Sequence, residues 1–330
     1  MRLRRVRTAE GPRIEAEAGG HFVRLADLLR LGTIAEASEV TGDPASDMIA
    51  ALQLGEKGWA ALAAEIESHG RPAREDGHVT LPFQPASFRD FMLYEEHVIN
   101  ATRGYVKRFM PGAYRTASLV EKITGKPFRK FRPKPLWYRQ PIYYFGNHMN
   151  FLTEGDEIAW PGYTKALDYE LEIGAVLAQP LMDASPKEAE AAIGGFVVLN
   201  DVSARDVQGA EMGSGFGPQK AKHFVNAIGN IVVTADEVLP HLGTLSGTVA
   251  INGTEIAQCS AAGARYSFGE CFAIAAKGEQ LHPGEFIGSG TLPGGSGMEN
   301  GHWLQPGDQL TLTLDHIGSL TNTIAAGAPA

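Results

Sequence analysis

At 330 residues, 44% hydrophobic and 20% charged, the chain has the balance of a globular protein and room for one large domain plus a small one. A net charge of −9 with no basic stripe argues against nucleic acid as a partner, and no apolar run approaches the roughly 18 residues that span a bilayer. No hydrophobic leader core follows Met1, so a cytoplasmic protein without a membrane partner is expected, with Cys259 and Cys271 as isolated, buried thiols.

The basic run Arg2-Leu3-Arg4-Arg5-Val6-Arg7 alternates with apolar residues and begins a hairpin over residues 3–18. Helical patterning follows over 24–37, 45–54 and the alanine-rich 58–68. A polar stretch at 70–77 and the phrase Leu81-Pro82-Phe83-Gln84-Pro85 read as a linker, which sets off residues 1–84 as a small α+β accessory domain from 85–330. Ser87 is placed to cap a helix running through Arg103, with Asp90 in its first turn, and aromatic-rich irregular ground follows. Strand-like runs then recur at 167–177, 195–199, 228–234, 247–251 and 310–315. Among them lie a helix at 185–193, with Pro186 first, and an Asn252-Gly253 hairpin turn. Residues 325–330 form a small-residue tail expected to fray. Strands predominate without regular βαβ alternation, so the fold class is α+β and β-rich, a mixed sheet folded into a roll or barrel.

Chemistry concentrates in two phrases. In Asp168-Tyr169-Glu170-Leu171-Glu172, strand geometry puts Glu170 and Glu172 on one face, about 7 Å apart, with Leu171 and Ile173 on the other. Two such charges on a half-buried strand repel unless something positive lies between them, and a hard divalent cation is the simplest remedy. A solvated strand face is the plainer alternative. The second phrase, Asn200-Asp201-Val202-Ser203-Ala204-Arg205-Asp206-Val207-Gln208, ends an apolar run with an aspartate suited to an ion beyond the sheet edge. Its spacing aims Arg205 and Gln208 into one pocket. The plainer reading there is a loop held by Asp206 paired with Arg205 or Lys220.

These phrases, with Ser87-Phe88-Arg89-Asp90-Phe91, Gly217-Pro218 before Lys222 and Phe224, and Gly288-Ser289-Gly290-Thr291, resemble the fumarylacetoacetate hydrolase family over about three quarters of the chain, from Ser87 onward. The resemblance implies a mixed β-roll catalytic domain, a homodimer and a divalent metal: magnesium, with calcium or manganese as alternatives. It implies Asp90, Glu170, Glu172 and Asp201 as metal ligands, and Arg205, Gln208 and Lys222 around the substrate oxygens. His97 matches the catalytic histidine of the best-known hydrolase and Glu299 its acidic partner, while Tyr144 and Thr291 match substrate-contacting positions. One departure is Met92, where that hydrolase has a tyrosine two residues after its first metal-binding aspartate; contacts to the substrate's far end are expected to differ.

The residues themselves support part of this. His97 follows Asp90 by seven, nearly two helical turns, so both can face one cavity. The seven glycines of residues 284–301 read as an active-site loop; a nucleotide loop is disfavoured because no helix pattern follows and Pro293 intervenes. An all-carboxylate set favours magnesium, calcium or manganese over zinc. The activity expected is hydrolysis of a C–C bond in a 1,3-diketo acid, with decarboxylation, hydration or enol–keto isomerisation of a 2-oxo acid as the alternative. A metal-dependent scaffold without chemistry is the remaining class.

Overall fold

The structure, a computed structural model, describes residues 1–326; residues 327–330 of the small-residue tail lie outside the described residues. Two antiparallel segments carry the core. Leu171–Leu177 and Ile193–Asn200 are buried at every residue, as strands covered on both faces must be, and they pair along their length from Leu171↔Asn200 to Leu177↔Ile193. On one flank Glu285–Gly288 pairs with Leu171–Leu177, followed by Ser87–Phe91 in parallel and Tyr143–Phe145. On the other flank come Ile231–Thr234 and the hairpin Arg2–Thr8/Gly11–Ala18, with His21–Arg24 at the edge. The path stays open from His21–Arg24 to Tyr143–Phe145, so the roll is not a closed barrel. A five-stranded sheet built on Ser246–Ile251, Gln309–Leu314 and Gly318–Ile324 packs across the central pair. The expected β-rich α+β class is the one the chain adopts.

Several local expectations hold for the reasons given. The hairpin turn at Asn252-Gly253 has φ of 53° and 76°, a conformation that asparagine and glycine tolerate. Pro186–Ala191 is a helix capped by a reciprocal Ser185–Glu188 capping box. Cys259 and Cys271 are free and buried, and burial pushes the Cys259 thiol up to about 12. Gly55–His69 covers the alanine-rich helix, whereas 24–37 shortens to Leu25–Leu29 and a single turn Ala35–Ser38. Ala325 is tied down, its amide donating to the carbonyl of Ile158 at 2.9 Å.

The helix expected from Ser87 is a correction. Ser87–Phe91 is a strand, and the helix begins only at Glu95, running to Phe109. Parallel pairing with Glu285–Gly288, almost 200 residues away, outweighs the local capping signal. A second helix, Pro111–Thr124, occupies part of the ground read as irregular and ends on Gly125 in the left-handed region at φ 63°. Glu95–Phe109 lies tightly against the turn Gly297–Asn300: a Cβ on Gly104 would stand 1.8 Å from the Met298 carbonyl oxygen. Gly104→Ala is therefore expected to destabilise the chain by about 1–3 kcal/mol through overpacking, read as a lower urea midpoint. An unchanged midpoint would show that the helix moves aside freely.

Candidate active site

Three carboxylates meet where the central strands end. Asp90, Glu172 and Asp201 each offer an oxygen within 4.8 Å of the others, and all three are buried. Glu172 comes from the central strand, Asp90 from the parallel strand two positions away, and Asp201 from the end of Ile193–Asn200. Gly288 stands between two of them: a Cβ there would lie 2.5 Å from Asp90 Oδ1 and 2.7 Å from Glu172 Oε2. Only glycine leaves this space, which explains one glycine of the loop segment by close approach.

The trio fits a hard divalent ion. Asp90 Oδ1 and Glu172 Oε1 are buried without a hydrogen-bond partner among the described residues, unusual for interior carboxylates. Burial first, then repulsion from Asp201, pushes the Asp90 carboxyl well above its ordinary range, and burial followed by Asp90 and Asp201 does the same to Glu172. Such a site gains from added positive charge, and its oxygen donors suit magnesium, calcium or manganese.

Glu170 sits beside the trio with its oxygens engaged by cations. Arg205 Nη2 lies 2.7 Å from Oε1, and Lys222 Nζ bonds Oε2. Burial alone would raise the Glu170 carboxyl, but Arg205 and Lys222, helped by His97, outweigh it and hold the group well below its usual range. Lys222 Nζ also reaches Asp201 Oδ2 at 2.5 Å, and burial of the ammonium is outweighed by these two anions, which keep it charged. Tyr144 donates to the same Asp201 oxygen at 2.7 Å. Arg205 Nη1 donates to Gln208 Oε1 at 3.0 Å, as the helix Arg205–Gly213 puts residues three apart on one face.

His97 and Glu299 meet from opposite sides. His97 Nδ1 is 2.8 Å from Glu299 Oε2, although 202 residues separate them, and the pair is nearly buried. Ser296 Oγ donates to the same Glu299 oxygen at 2.8 Å, and the Gly294 amide to the other at 3.2 Å, so the carboxylate is fixed from behind. Thr291 is buried on the same loop, and the Gly290 amide donates to Glu172 Oε2 at 3.1 Å.

Some arrangements differ from the sequence reading. Asp90 and His97 lie on a strand and on the following helix instead of on one helix. Asp206 pairs with neither Arg205 nor Lys220; it accepts from Thr164 Oγ1 at 2.5 Å and the Lys165 amide at 2.8 Å. The partner of Arg205 Nε is Asp168, at 2.7 Å, a residue to which the sequence assigned no role. Asn226 was also missed: in the amide orientation its surroundings require, it donates to Asp201 Oδ1 at 2.8 Å. The phrase containing Asp168 was visible, but its contacts lie about 37 and 130 positions away and no local spacing announces them.

The family model for the C-terminal domain of fumarylacetoacetate (FAA) hydrolase matches residues 116–325. Uncharacterized proteins of Staphylococcus saprophyticus and of Staphylococcus aureus strain USA300 are each 32% identical over 191 residues, 56% of this chain and 62% of theirs. The chain thus spans about three fifths of the length of these curated relatives. Among solved structures, a fumarylacetoacetate hydrolase from psychrophilic Exiguobacterium antarcticum superposes with a TM-score of 0.67 at 19% identity, covering 99% of this chain and 100% of that one. A 5-carboxymethyl-2-hydroxymuconate delta-isomerase from Mycobacterium smegmatis gives 0.64 at 18%, covering 98% and 99%. A maleylpyruvate hydrolase from Sphingobium sp. SYK-6 gives 0.64 at 16%, covering 99% and 100%. At these identities the likeness establishes the shared fold.

If the trio is an ion site, magnesium at 100 times its Kd stabilises the wild type by about 2.7 kcal/mol in urea denaturation. Glu172→Gln is expected to lose this gain and His97→Ala to keep it. Equal gains in all three proteins would place the ion elsewhere.

Proposed function

The chain belongs to the fumarylacetoacetate hydrolase family, and we propose that it is a divalent-metal-dependent hydrolase cleaving a C–C bond in a 1,3-diketo acid of the fumarylacetoacetate or acylpyruvate kind. The observation that carries this reading is the His97–Glu299 pair beside the acidic cluster. Decarboxylation and isomerisation need stabilised negative charge on the substrate, whereas hydrolysis, like hydration, also needs an activated water, and a carboxylate-oriented imidazole is suited to supply one.

Asp90, Glu172 and Asp201 hold the ion in this proposal, with Glu170 shared between it and the two cations. Magnesium is the metal favoured, with calcium or manganese as substitutes. When bound, the ion supplies Lewis acidity to the substrate's paired oxygens. Glu299 orients His97 through Nδ1, leaving Nε2 to take a proton from water. The hydroxide adds to the distal carbonyl carbon, and Arg205, Gln208 and Lys222 stabilise the oxyanion, each well-placed donor contributing about 3 kcal/mol. Collapse breaks the C–C bond, giving a carboxylic acid and an enolate, and the proton on His97 returns to the enolate carbon. Tyr144 and Thr291 contact the substrate. The same reading takes residues 1–84 as an accessory domain, the assembly as a homodimer, and the compartment as the cytoplasm. Among the described residues no helix is long and apolar enough to cross a membrane.

The purified protein with magnesium is incubated separately with acetylpyruvate, a fumarylacetoacetate analogue and oxaloacetate. Pyruvate plus acetate from the first is the expected result, and His97→Ala lowers that kcat by about 10²–10⁴-fold, the range for loss of a general base. Carbon dioxide from oxaloacetate without diketone cleavage would replace the hydrolase with a decarboxylase. Turnover of none of the three would favour a scaffold, and full diketone hydrolysis by His97→Ala would remove the base assignment.

A further inference from the structure

Asp168 is fully buried and accepts four hydrogen bonds that join two halves of the site. Its Oδ1 accepts from the amides of Tyr169 (2.9 Å) and Gly297 (2.8 Å); its Oδ2 accepts from the Met298 amide (3.0 Å) and Arg205 Nε (2.7 Å). Gly297 and Met298 begin the turn Gly297–Asn300, which carries Glu299 and through it His97. Arg205 reaches Glu170 and Gln208 with its remaining nitrogens. One carboxylate therefore grips the guanidinium with one oxygen and the backbone beneath the His97–Glu299 pair with both. The fit is close: a Cβ on Gly297 would stand 2.5 Å from Asp168 Oδ1.

We propose that Asp168 is a positioning residue that fixes Arg205 and the Glu299 turn in a single geometry, so that the base and the oxyanion-binding cation address the same substrate carbon. This rests on the hydrolase reading for its chemistry, though not for its structural part. Arg205 already has Glu170 as an anionic partner, so charge balance alone does not require a second carboxylate. What Asp168 adds is the link to the turn. A carboxylate suits that place because all four partners are donors. Asparagine keeps one acceptor and presents its NH2 group to two N–H donors, one of which belongs to the turn in either amide orientation.

The test uses the full chain with magnesium. In Asp168→Asn, amide exchange is expected to quicken at least about tenfold in the peptide covering residues 294–301 and to stay unchanged in the central strands. On whichever compound the wild type turns over, kcat falls about 10²-fold while KM stays within about threefold, the signature of misplaced groups. Added to Glu299→Gln, Asp168→Asn then costs clearly less than its roughly 10²-fold in the wild type, because the share that passes through the Glu299 turn is already lost and only the share through Arg205 remains. Unchanged exchange at 294–301, or a full multiplicative loss in the double variant, overturns the proposal. If Asp168→Asn does not fold, Gly297→Ala decides, since it forces the same turn off an intact carboxylate; exchange at 294–301 no faster than in wild type would then count against the link. A wild type inactive on every substrate defeats the hydrolase reading alone, because the exchange measurement still decides whether Asp168 holds the turn.

Discussion

Four carboxylates, Asp90, Glu170, Glu172 and Asp201, share one buried region, and like charges packed so closely cannot all remain ionised without positive charge among them. Each buried ion costs several kcal/mol of lost hydration before any pairing. The chain supplies two permanent cations against this, and both favour one side. Arg205 and Lys222 converge on Glu170, and only Lys222 extends to Asp201. Asp90 and Glu172 are left with the unmet demand, visible in their raised carboxyls and in an oxygen of each that has no partner among the described residues. This asymmetry gives the cluster a satisfied edge and a hungry centre, and the hungry centre is where a divalent ion fits.

The surrounding architecture holds that imbalance in place. A cluster of this charge has to sit on rigid elements, and its members come from the central pair of strands and from a strand two positions away in the same sheet, or from their ends. Small residues allow the approach: Gly288 leaves room between two carboxylates, and Gly104 lets a helix settle on the turn bearing Glu299. Around this frame the polar partners are themselves held, Asp201 by Tyr144, Lys222 and Asn226, and Glu299 by Ser296 and the Gly294 amide.

Much of this was legible in the order of residues. The period-two pattern around Glu170 and Glu172, the aspartate closing the next apolar run, and the Arg205–Gln208 spacing each have a local cause, and each could be read locally. The β-rich class followed from turn chemistry and from strand-like runs without helical alternation. What could not be read was contact made across the sheet. Ser87 looks like a helix cap until Glu285–Gly288 is laid beside it. Asp168 looks like a strand residue until Gly297 arrives, and Asn226 carries no signal at all. The His97–Glu299 pair was reached through family likeness, since a separation of 202 positions leaves no spacing to interpret.

The parallel pairing of Ser87–Phe91 with Glu285–Gly288 bears on where the folded unit begins. Asp90 rides on that strand and His97 on the helix after it, and both precede residue 116, where the family match begins. A trimmed protein starting at that boundary would keep the fingerprint yet lose Asp90 and His97. It would also bare a strand edge in the middle of the sheet, inviting self-association. The recognisable domain and the chain that assembles the cluster are thus different lengths.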